Sequence, residues 1–105
     1  MQNIRPVVGL VTCVHPIYNL PSVTGHRDAA VKGLEAAGCR VASPEIARDS
    51  RDVRAIAAML RREEVDVMIL FFCTWVAEEI TLGLTRELDD VPLLLWALPY
   101  LDKTI

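Results

Sequence analysis

Residues 65–72 read VDVMILFF, apolar throughout except for Asp66 near the start. A continuous run of this kind is the pattern of a strand covered on both faces, which places it centrally in a sheet. Just beyond it Thr74 reads as a helix cap, and Glu78 and Glu79 fall in the first turn, where carboxylates favour the positive end of the helix dipole. Ile80, Leu84 and Leu88 then recur at helical spacing, and Asp89 and Asp90 close the segment. Val91 to Leu98 (VPLLLWAL) follows as another strand, its Pro92 tolerable among a strand's first residues.

Upstream of the central run, Val53, Ile56, Ala57 and Leu60 form one apolar stripe, which predicts an amphipathic helix with Ser50 as its cap. Arg48, Arg51, Arg54, Arg61 and Arg62 alternate with Asp49 and Asp52 and are followed by Glu63 and Glu64, the composition of a solvated helix face rather than a binding patch. Cys39 to Ser43 (CRVAS) predicts a short strand stopped by Pro44. Ala30, Leu34 and Ala37 mark an earlier helix, capped at its end by Gly38 and at its start by Ser22 or Thr24, after an irregular stretch from His15 to Gly25. Pro6 to Val14 (PVVGLVTCV) is the first strand, β-branched and apolar on both faces.

Strands and helices therefore alternate, β-α-β-α-β-α-β, and this order calls for a parallel sheet with right-handed crossovers. The expected architecture is α/β: a doubly wound, flavodoxin-like (Rossmann-like) three-layer domain whose four-stranded parallel sheet has the order 2-1-3-4. A chain of 105 residues, 52% hydrophobic and 24% charged, suits one such domain, with no room for a second. The net charge of −3 offers no general attraction to nucleic acid or to anionic membranes, and neither is an expected partner. The longest apolar run, Val67 to Cys73, is far too short to span a bilayer, and Met1 to Pro6 lacks the pattern of a signal peptide. Cys13, Cys39 and Cys73 are odd in number and lack CxxC spacing, so free thiols in a reducing cytoplasm are expected.

Ligands of open parallel sheets bind beyond the carboxyl ends of the strands, near the point where strand order reverses. That rule selects His15, Pro16, Ile17, Tyr18 and Asn19 after the first strand, Glu45 after the second, Cys73, Thr74 and Trp75 after the third, and Pro99, Tyr100 and Asp102 after the fourth. Several familiar uses of the fold lack their residues. There is no GxGxxG and no GxxxxGK[ST]; HPIYNLP is too bulky for a flavin phosphate loop; and Phe72 and Cys73 stand where a phospho-accepting receiver needs an Asp. His15 and His26 have no third ligand at recognisable spacing, so ordinary polar roles are expected of them rather than metal binding. Cys73 stands at a strand–helix junction with no triad beside it and reads as a buried structural thiol. Trp75 either offers an apolar platform to a sugar face or a partner surface, or packs between helix and sheet.

The stretch VDVMILFFCTWVAEEITLGLTRELDDVPLLLWALP (65–99), with VVGLVTCVHPIYN (7–19) and TGHRDAAV (24–31), resembles the N-terminal domain of L-fucose isomerase and L-arabinose isomerase-like proteins. Cys73-Thr74-Trp75 leading into Glu78 and Glu79, followed by a Pro-Leu-Leu strand, is the most specific part. The resemblance implies an aldose–ketose isomerase of several domains, a homo-oligomer that uses a divalent metal, commonly manganese. Its metal ligands and catalytic base belong to later domains, expected outside these 105 residues. The N-terminal domain would cap a sugar substrate at a subunit interface. By the same resemblance Trp75 takes a sugar-stacking role, and His15 and Tyr18 match the loop that reaches the substrate. His15 to Asn19 does not repeat the basic residues found there in L-fucose isomerase, which leaves the sugar unassigned.

Two expectations follow for function. The first is a substrate-capping and oligomerisation domain with no turnover of its own. The second is a stand-alone flavodoxin-like module that binds a small molecule or a protein. Either way, flavodoxin-like domains usually continue past four strands, so Val91 to Leu98 is expected to form an exposed edge that drives self-association.

Overall fold

The computed structural model describes residues 5–15, 22–44, 46–73 and 78–97. Its elements run β1 (Val7–Cys13), α1 (Ser22–Ala36), β2 (Arg40–Ala42), a 3-10 turn (Ser50–Asp52) leading directly into α2 (Val53–Arg62), β3 (Val67–Phe72), α3 (Glu78–Glu87) and β4 (Leu93–Ala97). The four strands form one all-parallel sheet in the order β2-β1-β3-β4, the flavodoxin-like arrangement expected from the alternation of elements. The six pairs from Val8↔Val67 to Cys13↔Phe72 make β1 and β3 the centre of the sheet.

Side chains alternate across the two faces of these strands. Val8, Leu10 and Val14 of the first segment join Ile69, Phe71 and Cys73 against Val23 and Ala30 of α1. Val11 and Cys13 join Met68 and Leu70 against Ile56 and Leu60 of α2 and Ile80, Leu84 and Leu88 of α3 and its end. The second and third helical segments bury the stripes read from their spacing, Val53, Ile56, Ala57 and Leu60 in one and Ile80, Leu84 and Leu88 in the other, whereas α1 buries only Ala30 of its three. Asp66, the one polar residue in the central run, closes the start of the β1–β3 ladder. The Val7 N–H donates to its carboxylate at 2.7 Å, and its own N–H donates to the Val7 carbonyl at 2.7 Å. Gly9 lets α2 approach β1, since a Cβ there would lie 2.7 Å from Cδ2 of Leu60.

Several helix boundaries differ from the sequence reading. α1 begins at Ser22, so it takes in the last four residues of the stretch expected to be irregular, and Ser22 and Thr24 lie within the helix rather than before it. Ala37 lies past the end of α1 and is exposed, while Val23 supplies the buried contact instead. Ser50 is not the cap of the second helical segment: Asp49 is, because its backbone is extended and its carboxylate accepts the Arg51 N–H at 2.9 Å. Asp52 completes a capping box by accepting the Asp49 N–H at 3.2 Å and also takes the Arg48 N–H at 2.8 Å. A carboxylate one residue earlier outcompetes the serine hydroxyl because charge-assisted bonds are stronger. The five arginines between 48 and 62 are exposed as expected, and Arg61 clasps Asp90 with bonds of 3.1 and 2.8 Å.

Gly38 ends α1 as read, at φ +100. The Cys39 N–H reaches the Leu34 carbonyl and the Gly38 N–H the Glu35 carbonyl, both at 3.0 Å, which is the Schellman pattern. Glu64 plays the same part after α2, at φ 52, with the Val65 N–H on the Leu60 carbonyl at 3.4 Å. Both residues are exposed, and a Cβ at Gly38 would touch nothing within 4 Å, so substitutions here change backbone strain without changing packing. Urea denaturation is expected to show Gly38→Ala losing about 1–2 kcal/mol and Glu64→Gly gaining up to about 1 kcal/mol. At Gly9 the cause is crowding instead, and Gly9→Ala is expected to lose about 1–3 kcal/mol.

Candidate functional site

All four strands run the same way, so their carboxyl ends share one edge of the domain. Strand order reverses between β1 and β3: the chain leaves β1 toward β2 and leaves β3 toward β4. The two ends stay together past the strands, because the Cys73 N–H donates to the Cys13 carbonyl at 3.2 Å. Val14 is buried and His15, next along, is half-buried at the rim. His15 takes part in interactions of its own and is not a free side chain.

The loop after β2 forms the flank of this rim, which was not legible in the sequence. Ala47 returns to pair with Cys13 in a parallel bridge; its N–H donates to the Thr12 carbonyl at 2.8 Å, and the Val14 N–H donates to its own carbonyl at 2.9 Å. Two hydroxyls lie buried near this edge with no hydrogen-bond partner among the described residues: Oγ1 of Thr12, one residue from the end of β1, and Oγ of Ser43, directly after β2. Beside Ser43 a groove of about 550 Å³ runs between α1 and Pro44, lined by Arg27, Asp28, Lys32 and Glu35. Two cations and two carboxylates give it no net sign, and Arg27 and Asp28 lie 3.6 Å apart. The sequence reading singled out none of these residues, since helical spacing says nothing of what the far end of β2 contributes.

Of the three residues taken from the resemblance as sugar-contacting, the structure places His15 at the rim. Tyr18 and Trp75 lie outside the described residues, as do Pro16, Ile17, Asn19, Glu45, Thr74, Pro99, Tyr100 and Asp102. The strands from which Tyr18 and Trp75 follow are the adjacent pair β1 and β3. His26 is exposed on α1, eleven residues beyond His15 in sequence, and among the described residues no three His, Cys, Asp or Glu side chains are grouped to hold a metal ion. The described part of the chain therefore offers no ligand set for the manganese that the resemblance implies.

Burial, with the neighbouring Cys73 thiol behind it, pushes the Cys13 thiol up from 9.0 to about 12. Burial alone pushes Cys73 from 9.0 to about 11. Both stay neutral at physiological pH, so neither is a thiolate nucleophile. Among the described residues no helix is long and apolar enough to cross a membrane.

Native protein treated with a chromogenic disulfide reagent at mildly alkaline pH is expected to show one fast thiol, half-buried Cys39, with Cys13 and Cys73 reacting only on unfolding. The Cys39→Ser variant should lose the fast phase. Because the two folded pKa values lie above the unfolded value, their contribution to stability is complete below pH 9 and is lost as pH rises toward 11–12. That loss is expected to be smaller in Cys13→Ala, read from urea midpoints across the alkaline range.

Comparison with protein-family models, with curated proteins and with solved structures returns no match to this chain.

Proposed function

We propose that this domain caps a sugar substrate in an aldose–ketose isomerase, acting in the cytoplasm as the substrate-capping and oligomerisation domain of a homo-oligomer, with no turnover of its own. The observation that carries the reading is the side-by-side ending of β1 and β3 at the reversal of strand order, with His15 at the rim and the segments bearing Tyr18 and Trp75 next in sequence. Stacking on an aromatic ring suits the apolar face of a sugar, and polar groups around it suit the hydroxyls. Neutral, buried thiols at the same edge fit a role in binding rather than in covalent chemistry. Metal chemistry in such an enzyme would be supplied by ligands outside the described residues.

One observation favours a second reading, a stand-alone flavodoxin-like module that binds a small molecule or another protein. Strand β4 is apolar and exposed along its whole length, as an interaction surface would be.

Titration of tryptophan fluorescence separates the two. The capping reading expects a saturable response to aldoses that is lost in Trp75→Phe and kept in Trp96→Phe. A response to flavin mononucleotide with none to aldoses would establish the module instead. The capping reading also expects no isomerisation by this chain with manganese and a panel of aldoses, and measurable turnover would overturn it.

A further inference from the structure

Among the described residues, four of the five large hydrophobic side chains that are exposed lie on β4. Leu93, Leu94, Leu95 and Trp96 are 39%, 54%, 59% and 38% exposed, although each belongs to a residue type normally covered in a sheet. Register with β3 divides them between two faces. Leu94 and Trp96 align with Ile69 and Phe71 on the α1 side, and Leu93 and Leu95 align with Met68 and the neighbouring Leu70 on the other. Trp96 leans on Phe71 with ring centroids 4.7 Å apart, so this strand is held in place by β3 while its outer edge pairs with no strand among the described residues.

Edge strands are usually blunted by a charge, a proline or a bulge. Within Leu93–Ala97 there is none of these, and Pro92 only precedes the strand. We propose that the outer edge of β4 pairs antiparallel with β4 of a second copy of this chain across a two-fold axis at Leu95, joining the two sheets into one of eight strands.

Self-complementarity is what selects a second copy. A two-fold interface must match itself, and reversing LLLWA about its centre sets Leu95 against Leu95 of the second copy, Leu94 against its Trp96, and Leu93 against its Ala97. Every cross-strand pair is apolar, on both faces, and aromatic–aliphatic pairs stabilise antiparallel sheets. Charge selects the antiparallel direction. Asp89 precedes β4 beside Asp90, whose carboxylate Arg61 already engages, so antiparallel pairing puts the two copies of Asp89 at opposite ends of the seam, up to roughly 40 Å apart at about 3.3 Å per residue. Parallel pairing would set them side by side.

Area sets the strength. At the observed exposures the four side chains offer apolar area on the order of 400 Å² per copy. That is about half of the roughly 800 Å² that each partner buries in a standard interface, a size typical of weak, transient association. The expected association is therefore reversible, with Kd in the micromolar range. It does not depend on the sugar reading, and the sugar titration and the association measurement fail separately.

Sedimentation velocity over roughly 1 μM to 1 mM should show conversion of monomer to dimer. Leu95 is half-exposed and outside the core, so Leu95→Lys should keep the wild-type circular dichroism while weakening association at least about a hundredfold. Leu82→Lys, at a position 50% exposed against 59% for Leu95 but on α3, should leave it unchanged. In a Trp75→Phe background the emission of Trp96 should shift to the blue in step with dimer formation. A monomer throughout the range, association indifferent to Leu95→Lys, equal weakening by Leu82→Lys, or a Trp96 signal that ignores concentration would each overturn the proposal.

Discussion

Val8 to Cys13 of β1 lie in parallel register with Val67 to Phe72 of β3, and nearly every side chain of both strands is buried. Two adjacent strands that are apolar on both faces cannot be satisfied by one layer of helices, so the chain must place helices on each side. α1 covers the face of Leu10 and Phe71, and α2 and α3 cover the face of Val11 and Leu70. A slip of one residue in this pairing would send each of β3's side chains to the opposite face and force both helix layers to repack. Asp66 and Val7 exchange two short hydrogen bonds at the start of the ladder, which is where such a slip would begin.

The same central pair supports the edge where the strand order reverses. The reversal of strand order lies between the two strands that are best held, so the rim that carries His15 and Cys73 stands on a rigid base. Ala47 adds a third segment through its bridge to Cys13 and pins the loop after β2 to the same edge. Burial of this kind has a chemical consequence: it keeps both thiols neutral.

At the other side of the sheet the balance is different. β4 gains its backbone bonds from β3 and one ring contact, Trp96 on Phe71, but its side chains remain exposed on both faces. A strand so apolar and so uncovered is a liability for a lone domain in water, and its own pattern matches a reversed copy of itself. The site edge and the associating edge are thus built on neighbouring strands, β3 and β4, with the ladder between them as their common support.

Much of the fold was legible in local pattern. Continuous apolar runs marked β1 and β3; the stripe Val53, Ile56, Ala57 and Leu60 marked α2; Gly38 marked the end of α1; and alternation of elements gave the parallel order 2-1-3-4. These depend on nearest neighbours along the chain and on the periods of helix and strand, which any sequence displays. The start of α1 and the cap at Asp49 were not read, because several residues compete for each cap and geometry chooses among them. For the site, the sequence selected the strand ends, and with them His15; it held no sign of the Ala47 bridge or of the groove beside Ser43, which join residues far apart in the chain. The sequence by itself determined which segments are strands and helices and which side chains seek cover. Only the tertiary structure decided which of them find it: β1 and β3 are covered on both faces and β4 only in part on either, because cover depends on what the rest of the chain brings alongside and not on the apolar run itself.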